Sequence, residues 1–471
     1  MHLDANRVVE ELAAGGFKDR RLAARLRGLA ERFVVKPSAS FPKALGGSAE
    51  LEAAYRFFGN VAVTPEAILA GHFEGVRRRA EREDTVLALH DTSVFTFRHD
   101  GQRRADDGKL LPKQRFFVHL ALVVTDDGNR RPLGVCGLET WYRGSSTRGG
   151  GWHDEANRWS ETALLTSQRL GHKSVVHVMD READDYWLLH NLTSNGERFV
   201  VRARIKGERT RMLDDNDFRQ LHEAVASMEA VVERDVKLTK RLKHRSPTQD
   251  VIHPPREARG TKLHIAARSL TIKRPKKHPS QTKARRAATL APTITLNVVR
   301  VWEPAPPAGE QPVEWVLLTT DPIATEEQIL KIVDRYRARW TIEEYFKALK
   351  TGCAYESRQL EDHQSLANAL AVFAPIACTL LDLRSEARRV PDAPAHLVLS
   401  KSQLEVLRAL GRVPLPEEPT QRDALLAVAA LGGHIKWNGD PGWLTLARGY
   451  ADLLMLTAGW EAAKLQQARD Q

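Results

Sequence analysis

The sequence predicts an α/β fold, a mixed sheet flanked by helices, with helical segments at both ends and a basic, strand-rich insertion in the middle. Three observations predict it. Apolar runs of strand length come first and then alternate with helical stretches between residues 85 and 202, the succession of a mixed sheet covered by helices. Leucines recur near helical spacing at the start of the chain, at Leu12, Leu22, Leu26 and Leu29. From Arg234 to Arg286 there are 17 Lys and Arg against three acids, Asp235, Asp250 and Glu257.

The first 70 residues read as helical, with Arg20, Arg21, Arg25 and Arg27 set between the leucines. Leu51 to Phe58 continues as a short helix. Thr64-Pro65-Glu66 has the form of an N-cap followed by proline at the first helical position. Strands begin after Asp84. Val86 to Leu89 is an apolar run that ends at His90-Asp91, and Phe116 to Val124 and Arg131 to Trp141 follow. A helix from Glu155 to Leu170 leads to the buried-type strand Val175 to Met179, which stops at Asp180. Another helix and the strand Arg198 to Arg202 come next.

The basic segment carries +14 in 53 residues, more than the +11 of the whole chain. With Pro247, Pro254, Pro255, Pro275 and Pro279 it reads as short strands and loops in a strong positive field. Order resumes with the strand Val313 to Thr320. A long helix then runs from Thr325, a good N-cap, to Lys350, with Gly352 able to cap its end. The last hundred residues are helical, broken by prolines from Pro391 to Pro419. These breaks suggest a helical module over 1–70, a sheet domain in two parts, 71–205 and 313–370, an insertion over 206–312, and a helical domain over 371–471.

At 471 residues the chain is too long for one core and predicts two to four domains. Its basic balance, pI about 9.6, favours a polyanionic partner, nucleic acid or an anionic membrane surface. No stretch approaches the roughly 20 apolar residues of a membrane span, and the start, Met1-His2-Leu3-Asp4, does not read as a secretory signal. Three distant cysteines, Cys136, Cys353 and Cys378, offer neither a disulfide framework nor zinc spacing, so a reducing cytoplasm is expected.

Three acids carry the candidate chemistry. Asp91 and Asp180 each follow an apolar strand, and a carboxylate there projects into a cleft. Two such groups close together are unfavourable unless a cation bridges them, and Mg²⁺ takes hard oxygen ligands. Glu343 lies on the long helix, where 3.6 residues per turn puts Tyr336, Arg339, Glu343, Lys347 and Lys350 in one sector. Ala338, Ile342, Tyr345 and Leu349 form the opposite, packing face. One carboxylate among three cations and a phenol suits a metal ligand beside groups that clamp phosphates. Each acid alone has a plainer account: a turn or cap residue for the aspartates, a surface ion pair for the glutamate.

The spacing Tyr336-x-x-Arg339-x-x-x-Glu343-x-x-x-x-x-x-Lys350 resembles the Tyr-Arg-Glu-Lys signature of the insertion-sequence 4 family of transposases. Asp180-Arg181-Glu182-Ala183-Asp184 is similar to that family's second-aspartate motif, and Asp91-Thr92-Ser93 to its first. Asp19 to Leu26 and Ala54 to Phe57 resemble its N-terminal DNA-binding module. Leu431-Gly432-Gly433 and Gly439 to Trp443 resemble its C-terminal end. The insertion matches only in position and character.

The resemblance implies an RNase H-like sheet on which Asp91, Asp180 and Glu343 bind two Mg²⁺ or Mn²⁺ ions. It implies a cut-and-paste DNA transposase that nicks double-stranded transposon ends, releases them through a hairpin and joins them to target DNA. Trp315 precedes Tyr336 by the family's spacing for the aromatic that stacks on a flipped base, with Trp340 assisting. Tyr336, Arg339, Lys347, Lys350, Arg181, Arg202 and Arg204 would hold phosphates, and Arg21, Arg25 and Arg56 would lie in the DNA-binding module. The family works as a homodimer on paired inverted-repeat ends, with no membrane, and the helices from Gln421 to Gln471 would supply part of that contact. The expected location is the cytoplasm of a bacterium, at the nucleoid. His90, beside Asp91, is expected to be structural, since hard Mg²⁺ prefers oxygen. The competing accounts are an inactive transposase-derived DNA-binding regulator and a structure-specific nuclease without strand transfer.

Overall fold

Glu11 is a buried carboxylate, and its polar partners explain how the first helix is held. A computed structural model describes residues 5–97, 102–106, 108–143, 151–171, 174–205, 211–241, 254–275, 290–435 and 439–469. The expected N-terminal start and much of the basic segment, with Pro247, Asp250 and Pro279, lie outside the described residues. The N-terminal module is helical as expected: α1 Ala5–Ala13, α2 Arg20–Val35, α3 Phe41–Ala44, α4 Ser48–Phe58 and α5 Pro65–Ala80. Asp19 caps α2 through the Arg21 N–H, and Thr64 caps α5 through the Ala67 N–H at 3.2 Å. Glu11 of α1 accepts from His72 Nδ1 (2.6 Å) and from Arg79, both on α5. The approach is close enough that a Cβ on Gly75 would lie 2.2 Å from the Glu11 carboxylate.

Three strands follow, β1 Thr85–Thr96, β2 Arg115–Thr125 and β3 Pro132–Trp141. They form an antiparallel meander in which Val86 faces Thr125 and Thr96 faces Arg115. β1 does not stop at His90-Asp91 as the sequence suggests. Thr92, Ser93, Val94 and Phe95 are β-branched, small or aromatic and continue the pairing with β2, so Asp91 sits mid-strand opposite Leu120.

After α6 Gly151–Leu170 come β4 Ser174–Met179, α7 Tyr186–Ser194 and β5 Arg198–Arg202, a parallel pair joined by a helix. The insertion contains α8 Leu221–Ala226, β6 Val232–Leu238, β7 Arg259–Lys273 and β8 Thr293–Trp302. Its strands are not all short, since β7 spans 15 residues. β9 Glu314–Thr319 pairs antiparallel with both β5 and β8.

The long helix predicted from Thr325 to Lys350 is three pieces. α9 Glu326–Ala338 starts at a Thr325–Gln328 capping box, Arg339 interrupts it, α10 Trp340–Lys347 follows, and Ala348–Gly352 is a wider π-turn. Arg339 keeps right-handed helical backbone angles, whereas the wider π-turn over Ala348–Gly352 moves Lys350 off the sector of Glu343. The predicted packing face is sound: Ala338, Ile342, Tyr345 and Leu349 are buried. Gly352 closes the π-turn, while the left-handed residue just beyond it is Ala354.

The remaining helices are α11 His363–Arg389, α12 Lys401–Leu410, α13 Gln421–Leu431 and α14 Trp443–Arg469. α11 overturns the expectation that no stretch is apolar enough to span a bilayer, with a mean hydropathy of 1.8 over 18 residues. That window is wholly buried inside the protein. A helix packed on all sides is apolar all round. The Asn368 side-chain NH2 donates there to the Phe58 and Val63 carbonyls.

The chain divides into two compact units. The first comprises residues 1–151, 165–174 and 340–471, the second residues 152–164 and 175–339. The first holds β1 to β3 with α1–α5 and α10–α14. The second holds β4 to β9, with a core that includes Trp159, Phe199, Leu221, Val298 and Leu318.

Candidate active site

Within the first unit, alternation along β1 sets the face on which Asp91 stands. The register with β2 runs without a shift from Val86 to Thr96, so Asp91, Ser93 and Phe95 share one face. Phe95 meets Phe346 of α10 edge-on, with centroids 6.3 Å apart. Phe346 lies one turn beyond Glu343. The glutamate helix thus packs on the face of β1 that carries Asp91. Both carboxylates are half-buried, and Asp91 Oδ1 accepts the Thr92 N–H at 2.9 Å.

Lys350 is turned to the same strand. Its ammonium donates to the Val94 carbonyl at 2.6 Å and lies 4.7 Å from the Phe95 ring centroid. Burial pushes its pKa below the ordinary value, against the pull of Glu356 and Asp91. Lys347 is exposed, paired with Glu344 at 2.7 Å and 5.9 Å from the ring of Trp340. Trp340 is 58% exposed, unusual for so large an apolar ring.

In the second unit Asp180 directly follows β4, as the sequence predicts, and caps a 3-10 turn, Oδ1 accepting the Glu182 N–H at 2.7 Å. Asp184 ends that turn and its side chain is buried, accepting the Arg204 N–H at 2.6 Å and the Arg211 guanidinium. It anchors the turn, and Arg211, far along the chain, gave no local signal of the pairing. Arg202 is mostly buried and donates to the Glu314 carbonyl at 3.1 Å. Burial pushes its pKa down; Tyr336 opposes that, and Arg181 and Arg339 add to it. Arg202 therefore feels one phenol and two further cations, and Trp315 stands edge-on to that phenol with centroids 5.3 Å apart.

In the N-terminal module Arg21, Arg25 and Arg56 are all exposed. Arg21 pairs with the cap residue Asp19 and Arg56 with Glu52, each at 3.0 Å. In the insertion ten of the 17 cations lie among the described residues, and six of the ten face acids. Of those acids, Asp334, Glu303, Glu233, Asp215 and Asp214 lie outside the 234–286 window, so counting within the window overstates the local field. Cys136, Cys353 and Cys378 are free and buried.

Two families match the chain. The transposase DNA-binding family covers residues 5–63, and the transposase DDE domain family covers residues 152–374. Asp180 and Glu343 fall inside the second match, while Asp91 lies outside both. A DNA-binding module followed by such a domain defines an enzyme that cleaves and transfers DNA. In particular, the two matched domains support a DDE transposase. Among solved structures it is similar to piggyBac transposase in a synaptic complex with hairpin DNA, at 11% identity, over 82% of this chain and 76% of that one, with a TM-score of 0.33.

DDE domains use divalent ions, and carboxylate oxygens are the hard donors such ions take. Among the described residues no three His, Cys, Asp or Glu side chains are gathered as a metal cluster. Mg²⁺ is usually held by one or two carboxylates, with water and substrate phosphate completing its shell, rather than by an all-protein cage. The donors thus fit in kind.

Proposed function

We propose that the chain is a cut-and-paste transposase of the insertion-sequence 4 family, with motifs most like those of the transposon 5 transposase, acting on paired DNA ends as a homodimer in the cytoplasm. Asp91, Asp180 and Glu343 would hold two Mg²⁺ or Mn²⁺ ions on an RNase H-like sheet. When bound, such ions supply the Lewis acidity for in-line displacement at phosphorus. The observation that carries this reading is that one matched domain spans both Asp180 at a strand end and Glu343 on its helix.

The residues then have distinct tasks. A water attacks one phosphodiester and frees a 3′-hydroxyl. That hydroxyl attacks the opposite strand, breaking its phosphodiester and leaving a hairpin. A second water opens the hairpin, and the 3′-hydroxyl attacks a target phosphodiester, joining to its phosphorus and releasing the target strand's own 3′-hydroxyl. Arg181, Arg202, Arg339 and Tyr336 would hold backbone phosphate through charge-assisted hydrogen bonds. Trp315 would stack on the base that leaves the helix, because a tight hairpin is easier to form with one base out of the stack. Exposed Trp340, with Lys347 over its ring, would support the adjoining strand. Arg21, Arg25, Arg56 and Arg204 would make further backbone contacts, and the C-terminal helices would join the two protomers.

Single variants D91A, D180A and E343A test the proposal. Each should abolish cleavage of an end-bearing DNA while leaving its binding affinity within about threefold. Undiminished cutting by any one removes that residue from the site.

A further inference from the structure

The segment that follows Glu343 grips β1 just beyond Asp91, and it does so at three points. Lys350 Nζ donates to the Val94 carbonyl at 2.6 Å. Glu356 Oε1 accepts the Thr96 N–H at 2.9 Å. Between them Phe95 is fully buried, met edge-on by Phe346 at 6.3 Å and by Tyr355 at 5.5 Å. Val94 and Thr96 are two apart, so their backbone groups point to the same edge of the strand. Lys350 and Glu356 supply on that edge, respectively, the donor and the acceptor that a neighbouring strand would supply.

The π-turn is what aims Lys350 at this edge. In an unbroken α-helix Lys350, seven residues after Glu343, would return to the sector of Glu343. The wider turn over Ala348–Gly352 moves it off that line. Its side chain is only 24% exposed and its ammonium already has a carbonyl partner and an acidic neighbour, Glu356 at 3.9 Å.

We propose that Lys350 and Glu356 are positioning residues that clamp β1 and thereby fix Asp91 relative to the glutamate helix, and that Lys350 is not a phosphate contact. This rests on Asp91 being a catalytic carboxylate. The two assignments of Lys350 differ in a measurable way. A lysine that neutralises a phosphate releases a counterion, so its loss lowers the slope of log affinity against log salt by about one. A lysine bonded within the protein leaves that slope unchanged.

The test uses the full chain with an end-bearing duplex. K350M keeps the apolar stem over Phe95 and removes the ammonium; E356Q removes the charge; K350R restores a donor. Expected are wild-type salt slopes for K350M and E356Q, at least tenfold slower nicking, and partial rescue in K350R. Amide hydrogen exchange, read on the peptide holding Thr96 without DNA or metal, should be faster in both K350M and E356Q. A salt slope lowered by about one in K350M, or unchanged exchange at that peptide, overturns the proposal. If D91A still cuts, the reading of the site fails instead. If D91A is inactive and K350M nicks at the wild-type rate, only the clamp fails.

Discussion

The ring of Trp315 meets that of Tyr336 edge-on, with centroids 5.3 Å apart and planes inclined by 66°. The two rings belong to different elements, β9 and α9. An edge-to-face pair contributes about 0.5–1.5 kcal/mol beyond burial, so the pairing holds Trp315 in one orientation. Trp315 is half-buried, with part of its surface open to a base. Trp315→Ala should slow hairpin formation at least tenfold while slowing first-strand nicking only about twofold. Time courses on a pre-nicked and an intact duplex separate the two steps, and equal losses would count against stacking there.

Arg202 and Arg181 should differ in how they act on DNA. Arg181 is exposed, whereas Arg202 is mostly buried and tied to the Glu314 carbonyl. Arg181→Ala should weaken end binding and lower the salt slope by about one. Arg202→Ala should do the same and also destabilise the second unit, because its guanidinium partners would be left unsatisfied. Binding isotherms from 50 to 300 mM salt, with thermal unfolding of each variant, check both; an unchanged slope in either removes it from the phosphate contacts.

Much of this was legible because periodicity reports local structure. The strands around Phe199 and Val123 and the caps at Thr64 and Thr325 follow from pattern and cap chemistry alone. Three features were not. Asp91 looked like a strand end because polar residues follow it, but pairing with β2 carries the strand on to Thr96. The break at Arg339 has no proline or glycine to announce it. The insertion's charge appeared isolated because its acids, such as Glu303 and Asp334, lie outside the basic window and pair across the sheet or onto α9. For the catalytic trio, sequence supplied the residue types, and their shared chemistry rests on the proposal above.

The Glu11–His72–Arg79 cluster predicts a pH dependence with a definite sign. Burial opposes the Glu11 charge, but hydrogen bonds and charges from His72 and Arg79 outweigh it and hold its pKa at about 2, below the ordinary 4.5. Burial also draws His72 below its ordinary 6.5, against the pull of Glu11. Both folded pKa values are depressed, so the unfolded chain takes up protons first as the pH falls. Stability is therefore full above pH 6.5, begins to fall below it as unfolded His72 gains a charge, and falls further from 4.5 towards 2 as the unfolded Glu11 takes up a proton and loses its charge. Glu11→Gln should cost about 3–5 kcal/mol near neutrality, because it breaks a buried pair. Thermal unfolding between pH 3.5 and 8 should show the gap between wild type and variant narrowing below pH 4.5. A gap that widened there would be inconsistent with the depressed carboxyl.

Two glycines set the closest helix approach in the C-terminal region. A Cβ on Gly432 would lie 1.9 Å from the Thr445 carbonyl oxygen, and one on Gly449 would lie 1.8 Å from that of Val428. Backbone atoms cannot swing aside, so α13 and α14 would have to separate. Gly449→Ala should therefore destabilise the first unit by about 1–3 kcal/mol, the range for overpacking. Gly459 lies in the same helix with nothing within 4 Å of its added Cβ. Gly459→Ala should be neutral or stabilise by up to about 1 kcal/mol, since alanine is the better helix former. Chemical denaturation of the two variants side by side decides the matter: if both shift the midpoint equally, the close crossing is not what requires glycine at 449.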